Sequence, residues 1–326
     1  MRDGPYMNDN NIKDSLPIGF KIDRYSITRK IGGGGFSIVY LAKDGKGGDE
    51  VVIKEFMPRK LAYRAEDGSV QIQENANSDA FSHGRRLFFQ EANFLANLKH
   101  HNIVNVTNFF RANGTVYMVM DYQKGVTLQE YIARRNGGLS EELIQAVFRP
   151  LLDGLKMIHE RGLLHLDIKP GNIYLRPGAD PVMLDFGAVH EMKQTRQYQP
   201  GQVLTPGFAP YEQSQRGGYV GPWSDIYAMG ATMRACISGG APSPAEERRM
   251  EDKMKPAAKE FRRRYSQSLL QAIDWAMEVD PTLRPQSVEQ LLEAMDSEVT
   301  EGNLSFTEAF MDRLNTRITL PWGSKN

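Results

Sequence analysis

The residues best suited to chemistry lie between Leu163 and Gly187. Asp167, Lys169 and Asn172 fall within six positions, and Asp185 follows the apolar run Val182-Met183-Leu184. Ile173-Tyr174-Leu175 and Val182-Met183-Leu184 read as two short strands. Paired as a hairpin, they would bring Asp167, Lys169, Asn172 and Asp185 to one edge. Two carboxylates and an amide are hard oxygen donors, suited to Mg²⁺ rather than to a soft transition metal. A carboxylate that holds no metal can serve as a base.

Other elements must position these groups. Tyr25 to Ile31 alternates as a strand and runs into Gly32-Gly33-Gly34-Gly35-Phe36-Ser37-Ile38-Val39-Tyr40, a glycine-rich turn followed by a second strand. Glycines let backbone amides approach a phosphate closely, although such a run alone reads as a tight turn. Val51 to Phe56 is a buried strand with one lysine, Lys54. Turn residues at Ala65 to Ser69, then alternating Val70 and Ile72, predict an inserted hairpin within about 58–82. Leu87, Phe88, Glu91, Phe94, Leu95 and Leu98 keep a helical period over 81–99. Glu91 on that apolar face is costly unless paired, and Lys54 is the obvious partner. Two further strands joined by Asn113-Gly114 lead to a polar, hinge-like stretch, Asp121 to Gly125. Thr127 with Glu130 forms a capping box that opens a helical half. Ser224 is the expected N-cap of an apolar helix whose Asp225 needs partners.

Composition sets bounds. The 326 residues carry 40 basic and 40 acidic side chains, so no overall field favours nucleic acid or an acidic membrane. The single cysteine, Cys236, excludes an internal disulfide and fits a reducing compartment. No apolar run is long enough to span a bilayer, and the polar first residues do not form a secretory signal. A cytoplasmic protein without nucleic-acid partners is expected.

The ordered set of motifs resembles the eukaryotic-type (Hanks-type) serine/threonine protein kinases, in a bacterial subgroup. Gly-x-Gly-x-Phe-x-x-Val-Tyr, Val-Ile-Lys, His165-Leu166-Asp167, Lys169, Asn172 and Asp185-Phe186-Gly187 come in the family's order. Several places depart from the pattern, among them Val52 in the place of its alanine, His101 for its proline and Pro210-Tyr211-Glu212 for Ala-Pro-Glu. Ser37 replaces the third glycine, and Leu166 replaces the arginine of His-Arg-Asp. The resemblance covers roughly residues 25–295 and implies an α+β, two-lobed kinase fold. Its first lobe would hold a five-stranded antiparallel sheet and one main helix, and its second would be mostly helical. The expected parts are an N-terminal arm over 1–22, lobes over 23–121 and 122–298, and a helical tail over 299–326.

The same resemblance assigns roles. Ile31, Gly32, Gly33, Gly34, Gly35, Phe36, Val39, Met120, Asp121 and Gln123 would surround ATP. Lys54, fixed by Glu91, would hold its α and β phosphates. Asn172 and Asp185 would hold Mg²⁺, with Mn²⁺ as an alternative. Asp167 would accept the hydroxyl proton, and Lys169 would neutralise the transferring phosphoryl group. Glu212 would pair with Arg284, and Asp225 would hold the catalytic-loop backbone. Thr195 and Thr205 lie in the segment that corresponds to the family's activation loop; Leu166 cannot read a phosphate there, so phosphorylation of Thr195 is not expected to be a strict requirement for activity. Implied partners are proteins bearing serine or threonine and a cognate protein phosphatase. Three rivals stay open: a nucleotide-binding pseudokinase or scaffold, a small-molecule phosphotransferase, and a structural interaction protein, which would not need Lys54, Glu91, Asp167, Asn172 and Asp185 together.

Overall fold

The computed structural model describes residues 14–185, 190–191, 204–215 and 218–297. The chain divides into two compact units, one ending at Lys124 and the other beginning at Gly125.

The first unit is built on an antiparallel sheet in the order β1-β2-β3-β4-β8-β7. Its strands are β1 (Lys21–Ile22), β2 (Tyr25–Gly33), β3 (Ser37–Asp44), β4 (Glu50–Phe56), β7 (Val106–Ala112) and β8 (Thr115–Asp121). Between β4 and β7 come a hairpin, β5 (Ala62–Arg64) with β6 (Val70–Ile72), and helix α1 (Ser78–Ala96). The six strands exceed the five expected, because Ile22 is buried and pairs with Tyr25. Two residues are too few to show a period of two, so this strand leaves no pattern in the sequence. Residues 14–22 of the arm expected over 1–22 are part of this unit. Leu16 and Ile22 are buried anchors within a polar segment, and burying them offsets the entropy of ordering it.

Helix α1 is capped by the Asn77 side chain, which accepts from the Ala80 N–H at 3.0 Å. It buries Phe81, Phe88, Glu91, Ala92 and Leu95. The β7–β8 turn places both Asn113 and Gly114 at positive φ, as a two-residue type I′ hairpin loop requires.

The second unit is mostly helical. Strand β9 (Val126–Thr127) leads into α2 (Leu128–Arg135), whose start carries the expected Thr127/Glu130 capping box. Helix α3 (Glu141–Glu160) starts at Ser140 and buries Leu151, Leu152, Leu155 and Ile158. Then come β10 (Leu163–Leu164), β11 (Ile173–Arg176), β12 (Asp180–Met183) and β13 (His190–Glu191). β11 and β12 form the anticipated antiparallel hairpin, with Ile173 opposite Met183. Helices α4 (Tyr211–Ser214), α5 (Pro222–Ser238), α6 (Ala245–Met250), α7 (Ala257–Glu260), α8 (Gln267–Ala276) and α9 (Val288–Asp296) complete it. Helix α5 is buried on all sides from Ser224 to Ile237, so it is the unit's central post. It begins earlier than expected, because Pro222 is pre-organised for the first helical position and Gly221 caps. Ser224 therefore sits in the first turn, where its hydroxyl accepts from the Gly221 N–H and donates to Glu212. Thr195, Phe186 and the tail over 299–326 lie outside the described residues.

A Cβ added at Gly114 would lie 2.5 Å from the Val70 carbonyl oxygen, at a backbone φ of +75°. Gly114→Ala should lower the stability of the chain by about 1–3 kcal/mol in urea unfolding, through backbone strain and overlap. An unchanged midpoint would show that the turn relaxes away from the hairpin without cost.

Candidate functional site

In the first unit, β2 and β3 present the glycine turn. Gly33 has φ +155°, and space is open where side chains of Gly34 and Gly35 would project. This is the bare backbone that close approach of a phosphate needs. Val39 pairs with both Gly32 and Lys54 in the sheet register, which brings the turn's base beside the lysine. Lys54 and Glu91 are both buried, and Lys54 Nζ lies 3.8 Å from Glu91 Oε1. The lysine also sits 5.5 Å from the centre of the Phe88 ring. A buried charge is retained only with such partners, so each residue accounts for the other. Met120 is buried on β8 opposite Val52, and Asp121 at the strand's end accepts from the Asn105 amide at 2.9 Å. Ile31 and Gln123 are half-buried, and Phe36 at the turn is exposed.

In the second unit, the loop between β10 and β11 gathers the polar cluster. Lys169 Nζ lies 2.8 and 2.9 Å from the two Asp167 carboxylate oxygens and 3.0 Å from the Thr205 hydroxyl. The Asn172 amide nitrogen donates to the Asp167 carbonyl at 2.9 Å and to its carboxylate at 2.8 Å. That orientation commits the amide's donor and makes its oxygen the atom with ligating capacity. The Leu184 N–H donates to the Asn172 carbonyl at 2.9 Å, so Asn172 and Asp185 share one end of the β11–β12 hairpin. Among the described residues no group of three or more His, Cys, Asp or Glu could hold a metal. One carboxylate and one amide fit an ion such as Mg²⁺, which keeps most of its shell for water and phosphate oxygens.

The loop itself hangs from Asp225, which is fully buried in the first turn of α5. Its Oδ2 accepts from the His165 N–H at 2.8 Å, and its Oδ1 accepts from the Leu166 N–H at 2.7 Å. His159 Nε2, from the end of α3, lies 2.8 Å from Oδ2. Gln213 donates to the Leu166 carbonyl at 2.7 Å. Leu166 is held at φ +58°, and its side chain packs with Leu164 and Val220. Burial alone would raise the Asp225 carboxyl, but His159 and the backbone donors outweigh it, leaving its pKa below the usual value. Burial depresses the His165 imidazole against the pull of Asp225 and neighbouring carboxylates, which keeps the ring neutral.

Further along, Arg284 is wholly buried and grips Glu212 with both terminal nitrogens, at 2.6 and 3.1 Å. It also donates to the carbonyls of Glu278 and Val279 and lies over the Tyr227 ring. The structure thus brings together Lys54 with Glu91, Asp167 with Lys169, Asn172 and Thr205, and Glu212 with Arg284. Sequence reasoning passed over His159, Gln213 and a second charge in β4, Glu55, which is fully buried. Glu55, like Glu91, is an acid among apolar neighbours, where burial is costly without a partner. His159 and Gln213 left no such signal, because each follows ordinary helix spacing.

The family described as protein kinase domain matches residues 25–295. Serine/threonine-protein kinase D of Synechocystis is 31% identical over 86% of this chain and 53% of its own length. Serine/threonine-protein kinase PrkC of Bacillus subtilis is 31% identical over 70% of this chain and 33% of its own. The chain therefore spans about half, or less, of these relatives. The solved structure named PpkA-294 apo form is 35% identical, superposes with a TM-score of 0.76, and is covered completely by 87% of this chain.

The protonation states make an acid-stability prediction. An unfolded histidine takes up a proton near pH 6.5, while folded His165 resists it. Stability is then full above that value and falls as pH drops toward the lower folded pKa. Asp225 adds a second loss below about pH 3.8, its unfolded value, because its folded pKa is also depressed. His165→Phe should flatten the fall in thermal midpoint between pH 6.5 and 5; an identical slope in the variant would assign that fall to other groups.

Proposed function

The chain belongs to the protein kinase family, and on that premise we propose that it transfers the ATP γ-phosphoryl group to serine and threonine hydroxyls of proteins, itself included. The family uses ATP and a divalent metal and acts on protein substrates. The observation that carries the reading is the Asp167, Lys169, Asn172 and Thr205 cluster, with its loop hung from Asp225. Bound ATP would supply the phosphoryl group, and the metal would neutralise charge on it. Everything else falls to side chains of this chain, because phosphoryl transfer is governed by positioning and charge neutralisation rather than covalent catalysis.

Asp167 orients the acceptor hydroxyl and takes its proton at a carboxylate oxygen. Lys169, already within 2.9 Å of that carboxylate, offsets negative charge as the phosphoryl group moves. Thr205 on Lys169 holds the ammonium in place. Asn172 and Asp185 would hold Mg²⁺, with Mn²⁺ as the alternative. Lys54, desolvated beside Glu91, holds the α and β phosphates, and the glycine turn with Ile31, Phe36 and Val39 covers the nucleotide. Met120 and the backbone at Asp121 and Gln123 receive the base.

A binding-only pseudokinase has no need of Asp167 and Lys169 set together, and the complete set favours an enzyme. A small-molecule phosphotransferase is disfavoured by the buried Glu212–Arg284 pair, which supports a segment suited to protein substrates. Bacterial signalling in the cytoplasm fits the reduced, buried Cys236 and the bacterial relatives, and such a pathway calls for a cognate phosphatase. No helix among the described residues is long and apolar enough to cross a membrane.

With labelled ATP, Mg²⁺ and a generic basic protein, label should appear on serine or threonine. Asp167→Asn should reduce it by at least about 100-fold, the lower range for loss of a general base. Nucleotide binding without any transfer would overturn the enzymatic reading in favour of the scaffold. Because Leu166 packs against Leu164 and Val220, it presents no cation to a phosphorylated loop. Thr195→Ala should therefore keep most of the activity, and an inactive but folded variant would refute this.

A further inference from the structure

The β5–β6 hairpin has no role in the proposed chemistry, yet it ends in a buried ion pair adjacent to the candidate phosphate lysine. Successive strand residues point to opposite faces, so Lys54 and Glu55 leave β4 on opposite sides of the sheet. Lys54 faces α1 and Glu91. Glu55, fully buried, faces the hairpin and the segment that precedes β1.

Every contact to Glu55 comes from a group fixed elsewhere in the unit. The Tyr117 hydroxyl, directly across the β4–β8 ladder, donates to Oε1 at 2.8 Å. The Tyr40 hydroxyl donates to Oε2 at 2.8 Å and accepts from the Leu16 N–H at 3.0 Å. Arg64, from β5, gives Glu55 one terminal nitrogen at 2.5 Å. Its Nε and its other terminal nitrogen donate to the carbonyls of Asp14 at 2.8 Å and Gly68 at 2.9 Å. Burial and the Glu55 charge raise both phenols, so they remain donors at any working pH. The chain leaving β4 is tied as well: Met57 and Arg59 donate backbone N–H groups to the carbonyls of Phe36 and Gly35 in the glycine turn.

An ionised carboxylate with no water access is a poor source of net stability, since desolvation offsets most of its attraction. Its geometric effect is larger, because four hydrogen-bonded groups from separate segments must meet at one point. We propose that Arg64 is a positioning residue. By clamping Glu55 against Tyr40 and Tyr117, it fixes the strand that carries Lys54, and residues 14–16 close the clamp. Residues 14–16 would thereby help set nucleotide affinity. This rests on the nucleotide role of Lys54 given above.

The test is calorimetric binding of Mg·ADP, together with KM for ATP and for a protein substrate, in wild type, Arg64→Met, Arg64→Lys and Tyr40→Phe. Arg64→Met should weaken Mg·ADP binding about tenfold, equivalent to roughly 1.4 kcal/mol. It should raise KM for ATP in parallel and leave KM for the protein substrate unchanged. Arg64→Lys should fall between, since it keeps the charge and loses the carbonyl contacts. Tyr40→Phe retains the ring and removes only the hydroxyl that joins Glu55 to Leu16, so it decides the matter should Arg64→Met fail to fold. Folded variants with reduced melting temperature but wild-type affinity and KM for ATP would make the clamp merely structural and overturn the proposal. A wild type that binds no Mg·ADP would instead strike the nucleotide reading itself, and this inference with it.

Discussion

The second unit depends on one buried carboxylate. Asp225 sits in the first turn of a helix that is buried all round, where an isolated charge would be intolerable. It is retained because His165, Leu166 and His159 all donate toward it. Two of these donors are consecutive backbone amides, and pointing both at one carboxylate forces an unusual turn in the chain. Leu166 accordingly adopts φ +58°, a region that costs an ordinary L residue about 1–2 kcal/mol. The Gln213 contact on its carbonyl completes the restraint from the other side. Asp167 comes next in the chain, so the strain set by Asp225 fixes the direction of the candidate base.

The leucine at 166 belongs to the same economy. Whatever occupies that position has its backbone dictated by Asp225 and Gln213, while its side chain enters a pocket beside Leu164 and Val220. A cation there would be left buried without a partner until a phosphate arrived, and it would couple loop geometry to that event. Leucine is satisfied by apolar contact alone. The loop geometry in this structure is then held by contacts within the folded unit.

How legible was this in the sequence? The hairpin β11–β12, the capping box at Thr127 and the buried Glu91 were readable, because each is a local pattern with a local cause. Two strands of alternating apolar residues, a threonine three positions before a glutamate, and an acid on an apolar face all announce themselves. The strand at Lys21–Ile22 was not readable, since two residues carry no period and its pairing depends on the neighbouring strand. Ser224 was misassigned as a cap because it is a good capping residue, whereas Pro222 two positions earlier takes the start of the helix. His159 and Gln213 were invisible because their importance is tertiary: 66 positions separate His159 from Asp225.

Both units solve the same physical problem in the same way. Each places charged partners in buried positions, at Lys54–Glu91 and Glu55–Arg64 in the first and at Asp225 and Glu212–Arg284 in the second. Hydrophobic replacements of similar volume would fill such sites at comparable or better stability. What they would not supply is direction. Apolar contacts tolerate sliding and rotamer exchange, while a carboxylate with three or four fixed donors admits one arrangement. Phosphoryl transfer demands that reacting oxygens be held to a fraction of an ångström, and misplacement by about 1 Å can cost 100-fold. Two of these anchors lie one residue from a group assigned a role in the proposed chemistry: Glu55 beside Lys54, and the Leu166 amide, held by Asp225, beside Asp167. In each case the strand or loop is fixed by the residue adjacent to the one assigned the chemistry.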